Sequence, residues 1–126
     1  GLIEDMIVTM KNASGIGLAA PQVGISLKIF TVNLEEKIYV FINPDIKDIA
    51  SDKIPFEEGC LSINKIWGPV VRPKKITIKA VNENGETVKI RAKGLLARVI
   101  QHEMDHLNGI LFIDKAEKTY NIEERK

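Results

Sequence analysis

The sequence predicts an α+β fold, mostly antiparallel strands packed around a central helix, and three observations carry that expectation. Apolar Ile76, Ile78 and Ala80 alternate with Thr77, Lys79 and then Val81, the two-residue period of a half-buried strand. Residues 87–92 alternate similarly after Asn84-Gly85, a dipeptide that favours tight hairpin turns because both residues tolerate positive φ. Leu95, Leu96, Val99, Ile100, Met104 and Leu107 then recur at helical spacing, and Asn108-Gly109 supplies the stop. That helix carries both histidines of the chain.

The other elements follow in order. Leu2, Ile3, Met6, Ile7 and Met10 fall at three- and four-residue steps, one face of a first helix that Asn12, Ser14 and Gly15 end. Residues 15–24, rich in glycine and small side chains with Pro21 inside, suit a tight loop held close to something else. Residues 27–33 and 38–42 are β-rich and predict a hairpin around Glu35-Glu36-Lys37, the second strand closing at Asn43-Pro44. Residues 45–55 read as polar and irregular. Residues 110–113 form a short apolar run, and 115–126 a charged C-terminal tail expected as a solvated or frayed helix. Neither a repeat nor a linker divides the chain, so 1–126 reads as one domain.

Composition narrows the function. The 126 residues hold 18 Lys+Arg against 17 Asp+Glu, a net charge of +1, and one cysteine. A lone cysteine excludes an intrachain disulfide framework and fits a reducing compartment. The near balance of charge, with no cationic stripe visible along the sequence, argues against specific nucleic-acid binding as the main role. No apolar run approaches the roughly 20 residues of a membrane-spanning helix, so the expectation is a soluble protein with no membrane partner.

The chemistry concentrates in His102-Glu103-Met104-Asp105-His106, an H-E-x-x-H motif. Histidines at i and i+4 project from one side of a helix, so both rings reach one metal ion, and the intervening Glu sits beside it. A catalytic metal site takes three protein ligands and keeps a position open, and no third histidine exists in this chain. Cys60, in Glu58-Gly59-Cys60-Leu61-Ser62, is the candidate, with Gly59 allowing close backbone approach. On the same helix Leu95, Val99, His102 and His106 share a face, so an apolar substrate side chain would lie on Leu95 and Val99; these two also read as ordinary core residues, and both readings hold at once at the wall of a cleft. The residues alone leave open a zinc endopeptidase and an inactive, metal-stabilised module that binds nascent peptides.

Three segments together, Gly15-Ile16-Gly17-Leu18-Ala19-Ala20-Pro21-Gln22, Glu58-Gly59-Cys60-Leu61-Ser62 and His102-Glu103-Met104-Asp105-His106, resemble the peptide deformylase family in sequence and order. The resemblance runs from the first helix to about residue 113. It implies the family's α+β fold and its activity, metal-dependent hydrolysis of the N-formyl group from the formylmethionine of newly made polypeptides. By the same resemblance Cys60, His102 and His106 are the metal ligands, Glu103 is the catalytic acid and base, and Gln22 with the N–H of Leu61 binds the substrate carbonyl oxygen. Ile16 and Gly17 match positions lining the cleft, and Leu95, Arg98 and Val99 match positions near the methionine pocket. Fe2+ is the implied ion in the cell, with Zn2+, Ni2+ or Co2+ able to occupy the site. A monomer in a bacterial-type cytoplasm or an organelle of bacterial origin, working close to the ribosome, is the implied setting. The resemblance also implies, for family members, a further N-terminal segment with a strand ahead of the helix that begins here at Leu2, and the expectation is a domain without it; none of the three motifs lies in that segment.

Overall fold

Alternation along the strands decides which helix each sheet face meets. In the computed structural model, which describes residues 1–13, 15–60, 63–109 and 120–121, the elements run α1 (Leu2–Asn12), β1 (Gly17–Ala19), a 3-10 turn (Ala20–Val23), β2 (Ile29–Leu34), β3 (Lys37–Ile49), β4 (Lys53–Cys60), β5 (Ile63–Pro73), β6 (Lys75–Val81), β7 (Thr87–Lys93), α2 (Gly94–Leu107) and β8 (Tyr120–Asn121). Strands β1-β2-β3-β6-β7 form one sheet and β4-β5-β8 a second, every pairing antiparallel. The α+β expectation is met.

Phe30 and Val32 of β2 join Ile76, Ile78, Ala92, Ala97, Val99 and Ile100 in the main core, between the five-stranded sheet and α2. The residues between them in register point the other way. Leu18 and Ala20 pack with Met6 and Met10 of α1, and the Thr31 hydroxyl donates to Met10 Sδ at 3.4 Å. The sheet therefore lies between two helices, and the two-residue period of its strands supplies both faces. Emptying the fully buried Phe30 position to alanine would cost about 3–5 kcal/mol at sites of this kind. At the corner into α2, Gly94 has φ +63°, a left-handed conformation that glycine adopts freely.

The β6–β7 hairpin and both helices fall where the sequence places them. Three readings are corrected. Residues 15–24 are not wholly loop, since they contain β1 and the 3-10 turn. Strand β3 does not close at Asn43-Pro44 but continues to Ile49, so 45–55 is not irregular. Asn43 takes φ +50° and the pairing with β6 shifts register between Ile42 and Asp45, so the proline, with no N–H to donate, sits in an irregularity of the ladder. In the tail, Tyr120–Asn121 pairs with Ile66 and Trp67 as a strand rather than a helix; the run 110–113 and the rest of 115–126 lie outside the described residues. Among the described residues no helix is long and apolar enough to cross a membrane.

Candidate metal centre

Helix α2 presents different chemistry to the two sheets. Its Ala97, Val99 and Ile100 are core, while Arg98, Gln101, His102, Glu103, Asp105 and His106 are buried polar groups. Spacing of four brings the His102 and His106 rings together, with Nε2 atoms 3.2 Å apart and ring centroids 4.9 Å apart. Two nitrogens bonded to one tetrahedral ion at about 2.0–2.1 Å would stand roughly 3.3 Å apart, so the pair fits a shared cation. The ligand atoms of His102, Glu103 and His106 all lie within 4.8 Å of one another.

The ring of His102 is oriented by Glu58 of β4, whose Oε1 lies 2.7 Å from His102 Nδ1. Burial pushes the Glu58 carboxyl up, but the bonds from His102 and Arg72, the Arg72 charge and the Arg98 bond outweigh it and hold the group at about 2. Ionised at neutral pH, Glu58 only accepts, so Nδ1 of His102 carries the proton and Nε2 is the atom turned to His106.

The same carboxylate collects a buried charge network. Arg72 Nε and Nη2 donate to it at 2.6 and 2.8 Å, and Arg98 Nη1 at 2.7 Å. Arg72 Nη1 also donates to Asp105 Oδ2 at 2.8 Å. Although burial opposes the charge on Arg72, its bonds to Glu58 and Asp105 raise its affinity for the proton further. Arg98 reaches the carbonyls of Val70 and Ile54 at 2.6 and 2.7 Å, so its guanidinium ties α2 to β4 and β5. Two acids face two guanidiniums, which offsets the desolvation of each.

Strand β1 closes the other side. A Cβ built on Gly17 would meet Glu103 Oε2 at 2.5 Å and Glu103 Cδ at 3.0 Å, so the carboxylate occupies the space that any larger residue would fill. In the turn after β1, the N–H of Ala19 donates to Gln22 Oε1 at 2.8 Å, which fixes the side-chain amide against the end of the strand. Ile16 and Leu95 are exposed, and Val99 is buried within the core. Cys60 ends β4, after a register irregularity between Glu58 and Cys60; Leu61 lies outside the described residues. Glu58, Arg72 and Asp105 were given no role by sequence reasoning, although Glu58 stands two residues before the cysteine in its motif and Arg72 follows the apolar pair Val70-Val71.

A family profile described as Polypeptide deformylase matches residues 1–121. The chain belongs to that family. It is 50% identical over 124 residues to the peptide deformylase of Natranaerobius thermophilus, covering 98% of this chain and 80% of that one. It is likewise 50% identical over 125 residues to the peptide deformylase of Dictyoglomus thermophilum, covering 98% and 81%. Among solved structures it superposes with a TM-score of 0.90 on the peptide deformylase of Thermotoga maritima, at 45% identity over 93% of this chain and 80% of that one. The Synechococcus elongatus peptide deformylase in complex with actinonin gives a TM-score of 0.90 at 49% identity, covering 93% of this chain and 64% of that chain. As a member of the deformylase family the protein is a metal-dependent hydrolase that removes the formyl group from the N-terminal formylmethionine of newly made polypeptides.

Proposed function

We propose that Cys60, His102 and His106 hold one divalent cation and that Glu103 moves the protons of formyl hydrolysis beside it. The observation that carries this reading is the pair of Nε2 atoms 3.2 Å apart with the Glu103 carboxylate in the same buried cluster. A cation there supplies Lewis acidity and lowers the pKa of water. Glu103 accepts a proton from the attacking water and returns it to the departing nitrogen, so one carboxylate serves as base and then acid. The NH2 of Gln22 and the N–H of Leu61 donate to the formyl oxygen as charge grows on it, where losing one such donor costs about 3–4 kcal/mol. Ile16 and Gly17 line the cleft that takes the formylmethionine, with Leu95, Arg98 and Val99 near the pocket for its side chain.

A thiolate among the ligands favours softer, redox-active ions, which supports Fe2+ as the working metal, with Zn2+, Ni2+ or Co2+ as substitutes. A monomer acting in the cytoplasm near the ribosome completes the reading. The test is anaerobic formate release from a formylmethionyl dipeptide, with metal measured on the same sample. The parent releases formate, and Glu103→Gln keeps its metal while turnover falls by about 10²–10⁴, the range for general acid-base groups. Undiminished turnover in Glu103→Gln would sink the assignment. Cleavage of unformylated internal peptide bonds would point instead to an endopeptidase.

A further inference from the structure

The β6–β7 hairpin gathers on one face cations that the sequence spreads between residues 75 and 93. Its register sets Lys75 opposite Lys93, Thr77 opposite Arg91 and Lys79 opposite Lys89. The intervening Ile76, Ile78, Ala80 and Ala92 point into the core beneath α2, so alternation sends all five cations to the outer face, where each is exposed. Neither strand contains an Asp or a Glu. The stripe is invisible along the chain because every second residue is uncharged and the two halves meet only through the turn.

Like charges directly opposite one another weaken a strand pair, so the ladder opposes the hairpin that carries it. Lysines on β7 can be read as protection of a sheet edge. That reading does not reach Lys75 and Lys79, because β6 is flanked by β3 and β7. On the β3 side, Asp45 stands in register with Lys79, but its carboxylate is bonded to Lys47 Nζ at 2.7 Å. Lys75, Arg91 and Lys93 also wall a cleft of about 530 Å³ with Thr77, Ile49 and the acid Asp48. With five positive charges here and a chain total of +1, the remainder of the chain carries −4.

The geometry points to this face as a docking surface for the phosphodiester backbone of a nucleic acid, held without reading its sequence. Successive rows of cations stand roughly 7 Å apart along the strands, and opposed pairs about 5 Å apart, a regular grid of positive charge. No aromatic residue lies in either strand, so bases have nothing to stack on, and the contact is with phosphates. The face lies across the sheet from α2 and its metal centre, so docking leaves the hydrolytic site open to a polypeptide N-terminus.

The test is fluorescence anisotropy of labelled homopolymer RNA, and of DNA of the same length, titrated with the metal-loaded full chain between about 50 and 200 mM salt. We expect log K to fall against log salt with a slope of about −2 to −3.5, at about −0.7 per phosphate neutralised on a single strand. The double variant Lys79→Gln/Lys89→Gln is expected to bind several-fold more weakly, with the slope shallower by about 1.4, while formate release is unchanged. Equal binding of both polymers supports a backbone contact, and binding of RNA alone supports it with a ribose contribution. No binding at the lowest salt, or a double variant as tight and as salt-sensitive as the parent, overturns the proposal. Binding to vesicles of anionic phospholipid with neither nucleic acid bound overturns it as well.

Discussion

Gly17 and Glu103 meet where the first strand crosses the last helix, and the missing side chain of one makes room for the carboxylate of the other. Gly17→Ala would place a methyl carbon 2.5 Å from Glu103 Oε2, so the carboxylate must turn away. Turnover is expected to fall by about 10²-fold, the penalty for misplacing a reacting group by about 1 Å. Metal content should stay at the parental level, and formate release measured beside metal content checks both; parental turnover would show that the carboxylate's seat is not limiting. Glu58→Gln acts differently, because it leaves two buried guanidiniums without their shared anion. It should cost about 3–5 kcal/mol in denaturant unfolding and weaken metal binding about 10–100-fold in chelator competition. A variant that lost stability but kept its metal affinity would count against Glu58 as the group that orients His102. At this scale the ring pair was legible, because residues four apart on a helix are neighbours whatever surrounds them. Glu58 was not, since it meets His102 across 44 residues of chain, and Arg72 meets Asp105 across 33. Pairings of that span are set by how sheets stack on a helix, which no local pattern records.

Turns and strands show the same division between local and distant causes. The β2–β3 hairpin was visible from its apolar runs, and its turn residues Glu35 and Glu36 take φ of +52° and +65°. Two successive left-handed residues match the twist of the flanking strands, a geometry that favours Asn-Gly over two glutamates. Changing Glu35-Glu36 to Asn-Gly is therefore expected to stabilise the chain by about 1–2 kcal/mol, since each L residue in this region is strained by about that amount. Thermal unfolding should move upward by several degrees with no change in formate release, and a lower midpoint would mean that the glutamates contribute something the backbone does not show. Strands β4 and β5 were not read from the sequence at all. Pro55, Pro69 and Pro73 break any donor pattern there, and the strands' polar members Glu58 and Arg72 look solvent-facing until α2 is laid over them. Helices α1 and α2 escaped this difficulty because a 3.6-residue apolar stripe reports its own buried face.

Across the whole molecule α2 is the piece common to both sheets, joined to the five-stranded one by apolar contact and to the three-stranded one by Glu58, Arg72 and Gln101. In the proposed site two ligands belong to α2 and the third, Cys60, ends β4, so a bound ion cross-links helix and second sheet as well as serving the reaction. Binding to the folded chain alone stabilises it by about 2.7 kcal/mol when free metal stands at 100 times Kd. For a domain of this length that corresponds to an upward shift of roughly 10 °C in the unfolding midpoint, read by calorimetry with and without chelator. Cys60→Ala keeps the α2 pair and removes the tie to β4, so less than half of that shift is expected to remain. Retention of the full shift would place the third ligand elsewhere, whereas loss of the shift in His102→Ala but not in Cys60→Ala would confine the ion to the helix. The separation matters because the charge network around Glu58 already holds β4 against α2 without metal. A chain that stays folded under chelation yet loses the increment would show that the network positions the elements and the ion reinforces them.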